Sequence, residues 1–268
     1  MKKLFIVMAM LAVLASCSNA EVLGTLSRSN SDNSETASDS TPIAAYVLDA
    51  GLSASARTVR YYDSLPQMLL ALNRGEIAAL AAPEFVGEYM LSNNPTYILR
   101  GFLLLKLPVA FAFGFMEEKS ELCARVSKVI QDMEEEGRIG ILVRDYFTGP
   151  AAKNPPAVKF EHFDGAETIT AAVTGDMPPI DYVGADGEPA GFNTAVLAEI
   201  GRRLHVNIKT VTVETGSRVP ALKSGRADAV FWFQLFEGYD VQPDVPEGVI
   251  TSTPYYGWNK VMLIGSRQ

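Results

Sequence analysis

The chain has 268 residues, 48% hydrophobic and 20% charged, with a formal net charge of −8. That balance is ordinary for a globular protein of one large or two small lobes, and the length is enough to bury a core without disulfides. An acidic body argues against nucleic-acid binding and against adhesion to anionic lipid by charge alone.

Lys2 and Lys3 form a basic n-region, and the residues from Leu4 to Leu14 form an apolar h-region. The pattern predicts a signal peptide over 1–16, too short for a membrane span. It ends Leu14-Ala15-Ser16-Cys17, which resembles the bacterial lipobox. On that reading Cys17 is lipidated, and the chain is anchored to a membrane rather than crossing it. Cys123 is the other cysteine of the chain. It falls on a helical pattern and reads as a small core hydrophobe. Residues 17–41, with SRSNSDNSETASDSTP, read as the lipidated N-terminus and a flexible tether that lets the body stand off the membrane.

The body follows in alternating strands and helices. IAAYVL (43–48) reads as a buried strand. SLPQMLLALNRG (64–75) reads as a helix, with Ser64 capping, Pro66 in the first turn and Gly75 at its stop. EIAALAA (76–82) reads as a strand, EFVGEYML (84–91) as a short helix and PVAFAFGF (108–115) as a strand. KSELCARVSKVIQDMEEEG (119–137) places Leu122, Val126, Val129, Ile130 and Met133 on one helix face, with Ser120 as cap and Gly137 as stop. A second short helix covers about 138–147, and 148–167 reads as a connector. ETITAAVTG (167–175) is a predicted strand. GDMPPIDYVGADGEPAGF (175–192) follows with a Pro-Pro stop and two turns. A helix runs to Leu204 with Asn193 as its cap, and VNIKTVTVE (206–214) alternates as a strand. RVPALKSGRADAVFWF (218–233) repeats helix, turn and strand, with Arg218 read as a surface residue. ITSTPYYGWNKVMLIG (250–265) closes the chain with a turn and a strand.

ALNRGEIAAL (71–80) and ALKSGRADAV (221–230) echo each other in Ala-Leu, Gly and Ala positions. Two such copies suggest two related α/β lobes with mainly parallel sheets.

The motifs together resemble the family 3 extracellular solute-binding proteins of ABC transporters, typified by polar amino-acid receptors. TAAVTGDMPPIDYVGADGEPAGFNTAVLAEIGRRL, ALKSGRADAVFWF and TSTPYY are similar to that family's opening half. YYDSLPQMLLALNRGEIAAL and ELCARVSKVIQDMEEEGRIGILVRDYF are similar to its closing half. The halves stand in rotated order, which points either to a circular permutation, the favoured reading, or to a fusion of two partial receptors. The resemblance implies a two-lobed periplasmic-binding-protein (type II) fold. The second lobe would cover 43–108, completed by 257–268, and the first lobe 109–256, including the connector 148–167.

The implied function is capture of a small polar solute, an amino acid or similar, for an ABC importer, at the envelope of a bacterium and outside the cytoplasm. Its partners would be the solute, an ABC permease and the membrane, with no nucleic acid, no cofactor and a monomeric state. A solute-sensing or adaptor lipoprotein is the alternative, and a cleft enzyme such as a dehydratase ranks below both. The chain has no His-Glu-x-x-His, Cys-x-x-Cys, Gly-x-Ser-x-Gly, Walker or Gly-x-Gly-x-x-Gly motif, so a non-enzyme is expected. His162 and His205 read as surface residues.

The resemblance places ligand contacts at strand ends: Asp181, Tyr182, Trp232, Phe233, Gln234, Glu84 and Tyr255. The family's Thr-x-x-Arg, whose Arg clamps a ligand carboxylate, has no counterpart in FQLFEGYDVQPDVPEGVITSTPYY. An acidic, aromatic site without that clamp would suit a cationic or weakly charged solute better.

Overall fold

The computed structural model describes residues 22–26, 58–62, 64–237, 242 and 245–267. The expected signal peptide, Cys17, the Ser-rich run and the expected strand 43–48 lie outside the described residues. The chain divides into two compact units, Leu107–Trp258 and a body built from Val22–Leu26, 58–106 and 259–267. The chain leaves the latter body, here the first unit, within one long strand after Lys106 and returns to it after Trp258.

The first unit holds β1 (Val22–Leu26), β2 (Thr58–Tyr62), α1 (Leu65–Asn73), β3 (Ala79–Pro83) and α2 (Glu84–Asn93). It also holds the opening half of β4 (Tyr97–Met116) and most of β12 (Tyr256–Ser266). The strand order is β2-β1-β3-β12-β4. β1 lies parallel to both β2 and β3, with Val22 opposite Thr58 and Leu23 opposite Ala79. β12 runs antiparallel to β3, from Val261 opposite Pro83 to Ile264 opposite Leu80. α1 begins as the sequence predicts. The Ser64 hydroxyl accepts from the Gln67 amide at 3.3 Å, Pro66 sits in the first turn, and Leu65, Met68, Ala71 and Leu72 are buried. These are the i, i+3, i+4 positions of an amphipathic helix.

β1 is a correction. VLGTL belongs to the stretch read as tether, yet it is an inner strand of the first unit. The reason is local: five residues with Val and two Leu, lying between two parallel partners, satisfy both rows of backbone groups without needing a long apolar run.

The second unit holds the rest of β4, α3 (Ser120–Glu135), α4 (Arg138–Val143), β5 (Thr168–Val173) and the short strands β6 (Asp176–Met177), β7 (Asp181–Val183) and β8 (Pro189–Ala190). It continues with α5 (Phe192–Leu204), β9 (Asn207–Thr212), α6 (Arg218–Lys223), β10 (Ala229–Phe236) and β11 (Val249–Thr251). Its main sheet runs β4-β10-β5-β9, with β11 also on β4, and β6-β7-β8 form a separate small sheet. β5 is parallel to β9 and β10, whereas β10 and β11 are antiparallel to β4. The sheets are therefore mixed, not mainly parallel. β4 and β12 are the strands that carry the chain between units, and they run against their neighbours.

α3 buries the five residues read from the pattern, and Cys123 with them. Ser120 is the first helical residue rather than its cap: a single turn at Glu117–Lys119 precedes it, and Lys119 stands at the cap position. Asn193 is likewise inside α5, whose cap position is Gly191. The two echoed segments fold alike. Gly75 and Gly225 stand at φ 71° and 68°, each between a helix end and a strand. A Cβ on either would meet nothing within 4 Å, so the backbone angle and not space selects glycine.

Candidate functional site

The polar centre of the second unit is built around Asp181 and Tyr255. Pro178-Pro179 is cis, and the chain turns there from β6 into β7. Asp181, the first residue of β7, is fully inside, at 0% exposure. Its carboxylate accepts from the Thr174 amide (2.7 Å), the Thr174 hydroxyl (3.0 Å) and the Gly175 amide (3.2 Å). Burial nevertheless pushes its pKa up to about 6, against these hydrogen bonds, with Asp176 adding to the rise. Asp181 thus fastens the end of β5 to the start of β7.

Tyr255 is 2% exposed, and its hydroxyl donates to Asn193 Oδ1 at 3.0 Å. Burial holds its phenol well above the usual range, and the Asp181 charge acts in the same direction. Rings surround it: Phe113 at 4.9 Å, Phe192 at 6.1 Å and Phe111 at 6.5 Å between centroids. Phe111 in turn meets Trp232 edge-on at 5.9 Å.

Trp232 sits at the point where the β10–β4 register shifts between Val230 and Phe233. It has a φ of 45°, an uncommon backbone state for a bulky residue. Arg218 lies over its ring at 4.4 Å. The sequence reading placed Arg218 at the surface; it is 2% exposed. Its Nε donates to the Thr215 carbonyl at 3.1 Å, and Nη1 donates to the carbonyls of Phe231 (2.9 Å) and Trp232 (3.0 Å). The carbonyls of Phe231 and Trp232 lie at the register shift, and the guanidinium supplies them a donor. A signal for this was present: Arg218 and Leu222 are four apart on α6 and share a face.

Two donors in this region have no hydrogen-bond partner among the described residues, Asn193 Nδ2 and Trp232 Nε1. Asn193 is 0% and Trp232 4% exposed. Buried donors of this kind are uncommon, and they suit a ligand or water that brings an acceptor.

The remaining expected residues are dispersed. Tyr182 and Gln234 are half-buried, on β7 and β10. Phe233 belongs to the apolar core with Ala172, Val219, Leu222 and Val230, and its ring fills the space a Cβ on Gly114 would need. Glu84 lies in the first unit, where it opens α2 and accepts from Lys260. His162 and His205 are exposed, the latter edge-on to Phe163 at 4.7 Å. Cys17 is outside the described residues. Among the described residues no group of three His, Cys, Asp or Glu side chains could hold a metal, and no helix is long and apolar enough to cross a membrane.

Two α/β units with mixed sheets define the fold class. Residues 169–266 match the family described as bacterial extracellular solute-binding proteins, family 3. Over those residues the resemblance read from the sequence is borne out. ABC transporter arginine-binding protein 1 of Escherichia coli (strain K12) is 28% identical over 98 residues, 37% of this chain and 38% of that protein. An arginine-binding protein numbered 2 of the same organism is 26% identical over 102 residues, 38% of this chain and 40% of its own length. The matched stretch thus spans about two fifths of these relatives. A periplasmic binding protein of an ABC transporter from Brucella ovis, with glutathione bound, superposes with TM-score 0.48 at 10% identity, over 95% of this chain and 64% of that one. The zinc-bound ligand-binding component of an ABC-type import system from Staphylococcus aureus gives 0.46 at 10%, over 93% and 66%.

Proposed function

We propose that this protein is an extracytoplasmic, lipid-anchored receptor that captures a small polar solute for an ABC importer. The observation that carries the reading is the family 3 match over 169–266. That stretch contains the whole Asp181–Thr174 and Asn193–Tyr255 arrangement. The same residues support a binding role over catalysis. The buried acid is held by three donors, and the Tyr255 hydroxyl is engaged by Asn193 Oδ1, an arrangement that supports neither a nucleophile nor a proton shuttle.

The solute class is read from the groups on offer. Asn193 and Trp232 present N–H donors, and the aromatic rings present π faces. Tyr182 and Gln234 are half-buried and close in sequence to Asp181 and Trp232. Arg218 already serves three carbonyls, which argues against its acting as a carboxylate clamp. A cationic or neutral amino acid fits better than an acidic one, and the two E. coli relatives carry arginine in their names. The permuted order of the two family halves is part of the same proposal. Its support is that β12, from the C-terminal end, completes the sheet that β1 to β3 begin.

A thermal-shift panel tests the reading: the purified full chain is melted with basic, neutral and acidic amino acids, polyamines and small peptides. A concentration-dependent rise is expected with basic or neutral amino acids. A rise only with glutamate or aspartate would overturn the preference, and no rise across the panel would overturn the receptor reading.

A further inference from the structure

The position of β1 changes how the chain would meet its membrane. Only four residues, 18 to 21, separate Cys17 from Val22. The five steps from Cys17 to Val22 span at most about 17 Å when fully extended. Val22 is a fixed point: its carbonyl accepts from the Ala78 amide at 2.8 Å, and β1 is held on both sides. A lipid on Cys17 would therefore draw one end of the first unit's sheet to the bilayer surface. The long Ser-rich run cannot act as a spacer, because it follows β1.

The groups gathered at that end follow from the topology. β1, β2 and β3 are parallel and begin there, and the loop carrying Arg74 and Glu76 precedes β3. β12 is antiparallel to β3 and finishes there, at Ser266 and Arg267. β4 starts there too: the Arg267 amide donates to the Thr96 carbonyl at 2.7 Å, and Arg100 Nη2 donates to the Ser266 carbonyl at 3.4 Å. β12 is two strands from β1 and β4 three, so these residues lie within about 10–15 Å of the entry point. Arg74, Arg100 and Arg267 are all exposed, and so is Leu99 at 49%. Among the described residues Arg100 and Arg267 have no carboxylate within ion-pair distance, while Arg74 has Glu76 at 3.8 Å. Glu21 adjoins β1 in sequence, so net charge is not the attraction. Exposed guanidinium groups that reach phosphate oxygens directly are.

We propose that this end of the first unit rests on the bilayer, with Arg74, Arg100 and Arg267 contacting the phosphates of anionic phospholipid headgroups. The proposal rests on lipidation of Cys17. It makes the receptor a body seated on its membrane in a set orientation, where the sequence reading had it standing off on a tether.

The test uses the full chain, made with its anchor and reconstituted in phosphatidylglycerol–phosphatidylcholine vesicles that carry a headgroup-linked photoreactive phospholipid. Label is expected in peptides holding 73–76, 94–100 and 265–267, and severalfold less at the opposite end of the same sheet, 60–65 and 83–88. The combined R74E, R100E and R267E variant is expected to stay in the membrane fraction and to lose most of that label. Equal labelling of both ends, or label unchanged by the three substitutions, overturns this proposal alone. A chain whose membrane partitioning is unchanged by Cys17→Ser overturns the anchor and this proposal together.

Discussion

Asp181 gives the second unit a pH dependence that can be worked out from its surroundings. Its pKa is 3.8 when free in solution and about 6 in the fold. The difference of about 2 units corresponds to roughly 3 kcal/mol. The folded value is raised, so between pH 4 and 6 the native state holds a proton that the unfolded chain has lost. Stability from this group is therefore greatest below pH 4 and falls as pH rises to 6, after which it is level. Asp181→Asn removes that titration. An Asn oxygen can accept from Thr174, but its amide nitrogen then faces the Gly175 N–H, at a cost of about 1–3 kcal/mol. The variant is expected to be less stable than the wild type at pH 4, and the gap is expected to close or reverse by pH 7. Both tryptophans, Trp232 and Trp258, lie in the same unit as Asp181, so urea unfolding followed by their fluorescence reports on it directly. Subtracting the two pH profiles cancels the remaining carboxylates. A difference that stays constant from pH 4 to 7 would refute the reasoning.

Other substitutions test other parts of the account. Arg218→Ala takes the guanidinium donor from the carbonyls of Phe231 and Trp232 and is expected to cost about 3 kcal/mol in urea unfolding, with Arg218→Lys recovering less than half. Tyr255→Phe leaves Asn193 Oδ1 without the hydroxyl and is expected to cost about 1–3 kcal/mol by the same measurement. Gly114→Ala puts a Cβ 1.9 Å from the Phe233 ring, which cannot move freely in its core, and is expected to lower the melting temperature with a loss of about 1–3 kcal/mol or more. Ser64→Ala removes the cap of α1 and is expected to cost about 0.5–2 kcal/mol, read by calorimetry of the thermal transition.

Much of the architecture was legible because it rests on short-range rules. The amphipathic face of α3 and the Ser64 cap of α1 are periodicity and capping, both local. So is the helix, αL glycine and strand of the two echoed segments. β1 was hidden for the opposite reason. VLGTL is too short and too mixed to announce itself, and it is a strand because β2 and β3 lie on either side of it. Arg218 was misplaced by the ordinary expectation that an arginine beside a turn is solvated. It is buried beside the register shift at Trp232, a tertiary feature whose carbonyls it serves. Asn193 was taken for a cap because Asn commonly is one, whereas the Gly191 turn starts the helix earlier and sends the amide toward Tyr255. Asp181 was found as a loop-tip candidate, but its burial and its three donors depend on where Thr174 and Gly175, at the end of β5, come to lie beside β7.

The central claim is that this chain binds a small polar solute through its second unit. The direct measurement is a calorimetric titration of the purified full chain with L-arginine and L-glutamate, repeated with Asn193→Ala. The account expects saturable one-to-one binding of arginine, weakened at least tenfold, about 1.4 kcal/mol, by the substitution, and no saturation with glutamate. Tight binding of glutamate, or arginine binding that Asn193→Ala leaves unchanged, would contradict it.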